Sequence, residues 1–143
     1  MISVLMPVKD SEEYIRQSVR STLYALGQSD ELLVLDDNSS DSTSDLLRRI
    51  KDSRLRVLRS NENLGVSRAL NLLANEARGD ILARMDADDI CLPWRFAVQT
   101  KLLRHMPSGL LFGNTILFGS RIPAPELPVT LSEGAVPRVL PYL

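Results

Sequence analysis

The stretch Ile81-Leu82-Ala83-Arg84-Met85-Asp86-Ala87-Asp88-Asp89 decides how this chain is read. An apolar run with the look of a buried strand stops at three crowded carboxylates, and Ile90-Cys91-Leu92-Pro93 follows. Like charges this close repel, which costs stability unless a cation sits among them. Hard oxygen ligands favour magnesium, manganese or calcium over zinc. The competing reading is a solvated loop capping a helix that opens at Pro93, because carboxylates near a helix N-terminus are mildly stabilising. Both readings stay open on these residues alone.

Outward from that stretch, the same pattern recurs. Ile2 to Val8 is an apolar run that reads as a strand buried on both faces. Asp10-Ser11-Glu12-Glu13 then predicts a capping box, with Asp10 as N-cap and Glu13 at the third helical position. Ile15, Val19, Leu23 and Leu26 follow at helical spacing, up to a stop near Gly27. Glu31 to Leu35 predicts a second strand running into Asp36-Asp37-Asn38-Ser39-Ser40-Asp41. Leu46, Leu47 and Ile50 mark the inner face of a second helix, and Leu55 to Leu58 a third strand. After the turn Asn61 to Gly65, the residues Val66, Ala69, Leu70, Leu73, Ala74 and Ala77 form the buried stripe of a third helix, which Gly79 closes. Ile81 to Met85 is the fourth strand, and a fourth helix runs from Pro93 to about His105.

Alternating strands and helices imply an α/β fold, a mostly parallel sheet with right-handed crossovers. Ligands of such sheets bind beyond the carboxyl ends of the strands. Lys9-Asp10, Asp36-Asp37 and Asp86 to Asp89 all fall at those ends, and the topology brings them to one edge. Gly109 to Gly119 reads as a further buried strand interrupted by Asn114. The domain is expected over residues 1–120. The remainder, 121–143, reads as an irregular tail, because five of the chain's eight prolines lie there.

Composition narrows the field. The 143 residues suffice for one domain, and 44% hydrophobic content supports an ordinary core. A net charge of −1, from 17 basic and 18 acidic residues, leaves no footprint for nucleic acid and argues against strong membrane attraction. Cys91 is the only cysteine, so no internal disulfide forms, and it reads as a small buried residue. The N-terminal run is interrupted at Lys9 and Asp10, unlike a signal peptide, and no stretch is long enough for a membrane helix.

Asp36 and Asp37 come several residues too early to cap the second helix, which Asp41 or Ser42 does better. An ionised aspartate there is an acceptor only, suited to the ring N–H of a nucleobase such as uracil. Pro7-Val8-Lys9-Asp10 stands where a dinucleotide enzyme would carry a glycine-rich loop, and no Walker loop occurs. Phosphate binding would therefore run through a metal at the acidic cluster. Arg68, Arg84 and Arg95 are possible helpers, and each is more simply a structural or surface arginine. His105 reads as a helix-end residue, and no constellation suggests a covalent nucleophile.

Taken together, the landmarks resemble family 2 glycosyltransferases, in their N-terminal, nucleotide-binding half. They are Ile2 to Asp10, Leu35 to Asp41, Asn63 to Asn71, Ala77 to Asp80 and Ile81 to Asp89, matching in order and spacing over roughly Met1 to Leu103. The resemblance implies a GT-A fold, truncated. It implies that Pro7 and Val8 lie against the nucleotide base and that Asp37 accepts from its ring N–H. Asp86 and Asp88 become the family's Asp-X-Asp pair, Asp86 toward the ribose and Asp88 on the divalent cation, manganese or magnesium. The implied reaction is sugar transfer from a nucleoside-diphosphate-sugar, a UDP-sugar by preference, to an acceptor hydroxyl of a glycan or lipid-linked molecule, with inversion. A cytoplasmic place close to a membrane is implied too.

The chain departs from the family in lacking a recognisable general base. Glu126 and Glu133 are the only acids between Leu110 and Leu143, and neither has a family context. The expectation is a fragment without its acceptor half, binding donor but transferring poorly, and self-associating through an uncovered sheet edge. Three alternatives stand beside it. One is a catalytically inactive nucleotide-sugar or partner-binding module. Another is a nucleotidyltransferase, which would need a glycine-rich basic loop after the first strand. The last is a structural α/β domain whose acids are caps.

Overall fold

The central strand is the one whose sequence is most uniformly apolar. In the computed structural model, β1 (Ile2–Val8) lies between β2 (Glu31–Asp36) and β4 (Ile81–Arg84), and β3 (Leu55–Arg59) flanks β2, giving the order β3-β2-β1-β4. All pairings are parallel, with Val8 opposite Asp36 and Leu5 opposite Arg84. Residues 1–104, 109–111 and 113 are described. The chain divides into two compact units, Met1–Val98 and Gln99–Leu143, and the first holds the whole sheet.

Four helices alternate with the strands: α1 (Ile15–Ala25), α2 (Thr43–Arg48), α3 (Val66–Glu76) and α4 (Arg95–Leu103). Successive strand residues point to opposite faces, so the apolar runs split into two cores. Val4, Met6, Val8, Leu32 and Val34 pack with Ile15, Val19, Leu23, Leu47 and Phe96. Leu5, Leu33 and Leu35 pack on the other face with Ala69 and Leu73 of α3. Sequence expectation and structure agree on these strands, on the α1 stripe and on the parallel α/β architecture. Val66 is an exception: at the first position of α3 it is 53% exposed rather than part of the buried stripe.

The capping box is the main local correction. Asp10 has a left-handed backbone (φ 44°), and α1 starts only at Ile15 with no side-chain cap. Asp10 Oδ1 instead accepts from the Ser40 N–H at 2.7 Å, across to the β2–α2 loop. That loop returns the contact. Ser39 Oγ, Thr43 Oγ1 and Asp41 Oδ2 accept from the N–H groups of Asp10, Ser11 and Glu12, while Glu12 Oε2 accepts from the Ser42 N–H. The two loops satisfy one another's donors, which no local rule foresees.

Gly79 also serves differently from a helix stop. A Cβ there would lie 2.6 Å from the Met1 carbonyl oxygen and 2.8 Å from the Ser3 nitrogen, so only glycine lets the chain pass β1. At the far end, residues 109–111 and 113 are irregular and Leu110 is 67% exposed, so the strand expected over Gly109 to Gly119 is not formed at its described positions. Glycines at 109 and 113 weaken extended structure there. His105, Glu126, Glu133 and the tail 121–143 lie outside the described residues.

Candidate functional site

The carboxyl ends of β1, β2 and β4 deliver the predicted polar clusters to one edge of the sheet. Val8 is buried in the core, and its carbonyl accepts from the Asp37 N–H at 2.7 Å, which ties the ends of β1 and β2 together. Pro7, opposite Leu35, is partly exposed beside them. Lys9 Nζ reaches the carbonyls of Asp37 and Asn38 at 3.5 and 3.4 Å. Asn38 is the second non-glycine residue with positive φ (58°), and it too belongs to this edge.

Asp36 and Asp37 are both buried, with different partners. Asp36 Oδ1 accepts from the Ser39 N–H at 2.9 Å. Its Oδ2 has no hydrogen-bond partner and meets only Arg59 Nε, at 3.7 Å. Asp37 holds the entry to α3: its two oxygens accept from the N–H groups of Leu64 at 2.7 Å and Gly65 at 2.9 Å. Gly65, with φ 76°, is the N-cap residue of that helix. Asp37 is thus a cap after all, for a helix far along the chain. Each of its oxygens keeps a second lone pair.

The acidic stretch after β4 is held from several sides. The Met85 N–H donates to the Leu5 carbonyl at 3.0 Å and extends the ladder by one bond. Ser18 Oγ of α1 donates to the Asp86 carbonyl at 2.9 Å, and Ser21 Oγ accepts from the Cys91 N–H at 3.0 Å. Arg84 grips the Asp86 carboxylate through two bonds, Nε at 2.9 Å and NH2 at 3.2 Å. Arg95 in turn donates to the Arg84 carbonyl at 2.8 Å. The sequence had marked Arg84 and Arg95 only as possible helpers, and Ser18 and Ser21 not at all. Their one signal is small hydroxyl residues in or beside the buried stripe of α1. Cys91 is buried, which raises its thiol pKa and leaves it unreactive.

Asp88 and Asp89 stand exposed beyond Asp86. The pKa of Asp89 is raised, first by partial desolvation and then by Asp86 and Asp88, against the opposing pull of Arg95 and Arg84. Asp88 also helps to raise the Tyr14 pKa, after the hydrogen bond and charge of Glu13. Among the described residues no three His, Cys, Asp or Glu side chains form a ready metal cluster. The expected gathering of carboxylates around a cation is therefore not preformed, because Arg84 has taken Asp86. The donor set still fits a hard cation bound through one or two carboxylates, with water and diphosphate oxygens as its other ligands, as magnesium-type sites are built.

A parallel α/β sheet that gathers polar side chains at its carboxyl edge places them where such folds bind ligands. Comparison makes the class specific. The profile of glycosyl transferase family 2 matches residues 3–123, and the chain belongs to that family. It is 31% identical, over 80% of its length, to the Escherichia coli UDP-Glc:alpha-D-GlcNAc-diphosphoundecaprenol beta-1,3-glucosyltransferase WfgD, of which it covers 45%. It is 33% identical to the putative teichuronic acid biosynthesis glycosyltransferase TuaG of Bacillus subtilis, over 74% of this chain and 42% of that one. Among solved structures, S. aureus TarS 1-349 in complex with UDP superposes with a TM-score of 0.74 at 24% identity, over 85% of this chain and 38% of that one. The mannosyltransferase PcManGT from Pyrobaculum calidifontis, in complex with GDP-Man and Mn2+, superposes at 0.70 with 24% identity, over 76% of this chain and 33% of that one. These overlays bear out the GT-A fold, and the chain spans less than half of each protein.

Proposed function

We propose that this chain carries the donor-binding part of a metal-dependent glycosyltransferase, which transfers sugar with inversion from a nucleoside-diphosphate-sugar, UDP-linked by preference, to an acceptor hydroxyl. The observation that carries the reading is the acidic carboxyl edge of a family 2 domain, where Asp37 from the end of β2 joins Asp86 and Asp88 from the end of β4. Pro7 forms the wall for the base, with Val8 behind it. Asp37 offers its remaining lone pairs to the base ring N–H while fixing the entry to α3. Asp86, oriented by Arg84, accepts from ribose hydroxyls. Asp88 is free to hold a divalent cation, manganese or magnesium. When bound, that cation neutralises charge developing on the leaving diphosphate. The general base is assigned to none of the described residues.

The name of WfgD supports a lipid-linked diphosphate acceptor, and with it a working place near a membrane. No helix among the described residues is long and apolar enough to cross a membrane. Calorimetric titration of uridine diphosphate, with manganese or with chelator, tests the reading. Binding should need the metal, and Asp88→Asn should weaken it at least ~10-fold, a loss of about 1.4 kcal/mol. Equal affinity with chelator would sink the metal role. Metal-dependent binding without turnover on any acceptor would favour a catalytically inactive module.

Self-association is proposed as well. The outer strands expose Val57 on β3 at 42% and Leu82 on β4 at 50%. Light scattering over a concentration series should show a rising mass, and a constant monomer mass would refute it.

A further inference from the structure

Five of the eleven arginines in the first unit have a carboxylate partner. Arg48 pairs with Asp45, Arg54 with Asp52, Arg56 with Glu31, Arg59 with Asp36 and Arg84 with Asp86. Four cations on the α1/α2 side do not. Arg16, Arg20, Arg49 and Lys51 line one groove of about 280 Å³, and no acidic side chain takes part in its walls. Arg16 and Arg20 lie four apart on α1, a like-charge spacing that weakens a helix. Arg16 also sits in the first turn, where the helix dipole disfavours a cation. Local stability does not explain this placement.

The groove shares Arg16 and Arg20 with a second one of about 620 Å³, walled by Tyr24, Ile90, Leu92 and Pro93. Tyr24 is 78% exposed and Leu92 43%. Cations at the rim of an exposed apolar strip match a bilayer surface, with headgroup phosphates outside and acyl chains beneath. A small free anion fits less well, because a site for it needs buried, preset donors, and these side chains are solvent-exposed. We propose that this face is a peripheral docking surface for a membrane of anionic phospholipid. The near-zero net charge hides it, because the chain's 18 acidic residues offset its 17 basic ones. The inference stands on these side chains and does not depend on the glycosyl-transfer reading.

Cosedimentation of the whole chain with vesicles tests it. Phosphatidylcholine vesicles containing phosphatidylglycerol should bind the chain at low salt and release it at high salt, and pure phosphatidylcholine vesicles should not bind it. Arg16→Gln with Arg20→Gln should weaken binding strongly, at about fivefold for each charge removed. Arg49→Gln with Lys51→Gln, on a separate element, should do the same and guards against a folding defect in α1. Circular dichroism melts accompany each variant. The control pair Arg68→Gln and Arg78→Gln lies in or just after α3, the helix packed on the opposite face, and should change binding less than twofold. Equal loss in the control pair, equal binding to neutral vesicles, or full release by millimolar inorganic phosphate at constant ionic strength would each overturn the proposal.

Discussion

The two ends of the sheet handle charge in opposite ways. At the amino edge, Glu31 is buried and fully engaged: Oε1 accepts from Ser3 Oγ at 2.7 Å and from the Arg78 N–H at 2.8 Å, and Oε2 meets Arg56 at 3.1 Å. Ser3 Oγ passes the chain on by accepting from the Gly79 N–H at 2.8 Å. At the carboxyl edge, Asp36 keeps an oxygen with no hydrogen bond and only the long Arg59 contact, Asp88 and Asp89 face solvent, and Asp10, Asn38 and Gly65 have positive φ. Polar groups at the first end saturate one another; at the second they are left over. Places where a fold stays locally inconsistent are where ligands are expected.

Breaking the amino edge should cost most. Glu31→Ala takes the acceptor from the buried Ser3 hydroxyl and from the Arg78 N–H, while Arg56 keeps Glu76, and a loss of about 3 kcal/mol in a urea melt is expected. The pH dependence has a definite sign. Burial alone would raise the Glu31 pKa, but hydrogen bonds from Ser3, Arg78 and Arg56 outweigh it and hold it below its ordinary 4.5. The ionised form therefore contributes stability above pH 4.5, and that contribution disappears as pH falls through the lowered value. The variant should lose this acid limb of the stability curve. An unchanged limb would show that the network is not what acid breaks.

Gly79→Ala comes next, at about 2 kcal/mol, because the new methyl meets backbone atoms that cannot swing away. The same urea melt checks it, and a loss below about 0.5 kcal/mol would mean that β1 yields at that point. This glycine also shows what was legible in the sequence. Its conservative reading, a helix stop, follows from neighbours along the chain, whereas its actual constraint comes from Met1 and Ser3. Strands and helix faces were readable because periodicity is local: Ile15, Val19, Leu23 and Leu26 are all buried, as their spacing says. The acidic edge was readable because parallel topology places strand ends together. Pairings across the edge were not, since Asp10 meets Ser40, and Asp37 meets Leu64, through contacts some thirty residues apart or close to it. Arg84's grip on Asp86 was local enough to suspect, yet sequence alone cannot tell a carboxylate held by arginine from one kept for metal.

The smallest effect on stability should come from neutralising a carboxylate at the open end. Asp89 carries a raised pKa, so the fold disfavours its charge, and Asp86 and Asp88 are part of the cause. Above that pKa the ionised group works against folding, and solvent screens much of the effect. In metal-free buffer, Asp89→Asn should leave stability within about 0.5 kcal/mol of the parent, with any change in the stabilising direction. With manganese and uridine diphosphate added, the parent should gain more in melting temperature than the variant if the crowding exists for a cation. An equal gain would make the acids of this edge mere solvated caps. A destabilised metal-free variant would mean that Asp89 is built into the fold as firmly as Glu31, and the contrast between the two edges would fail.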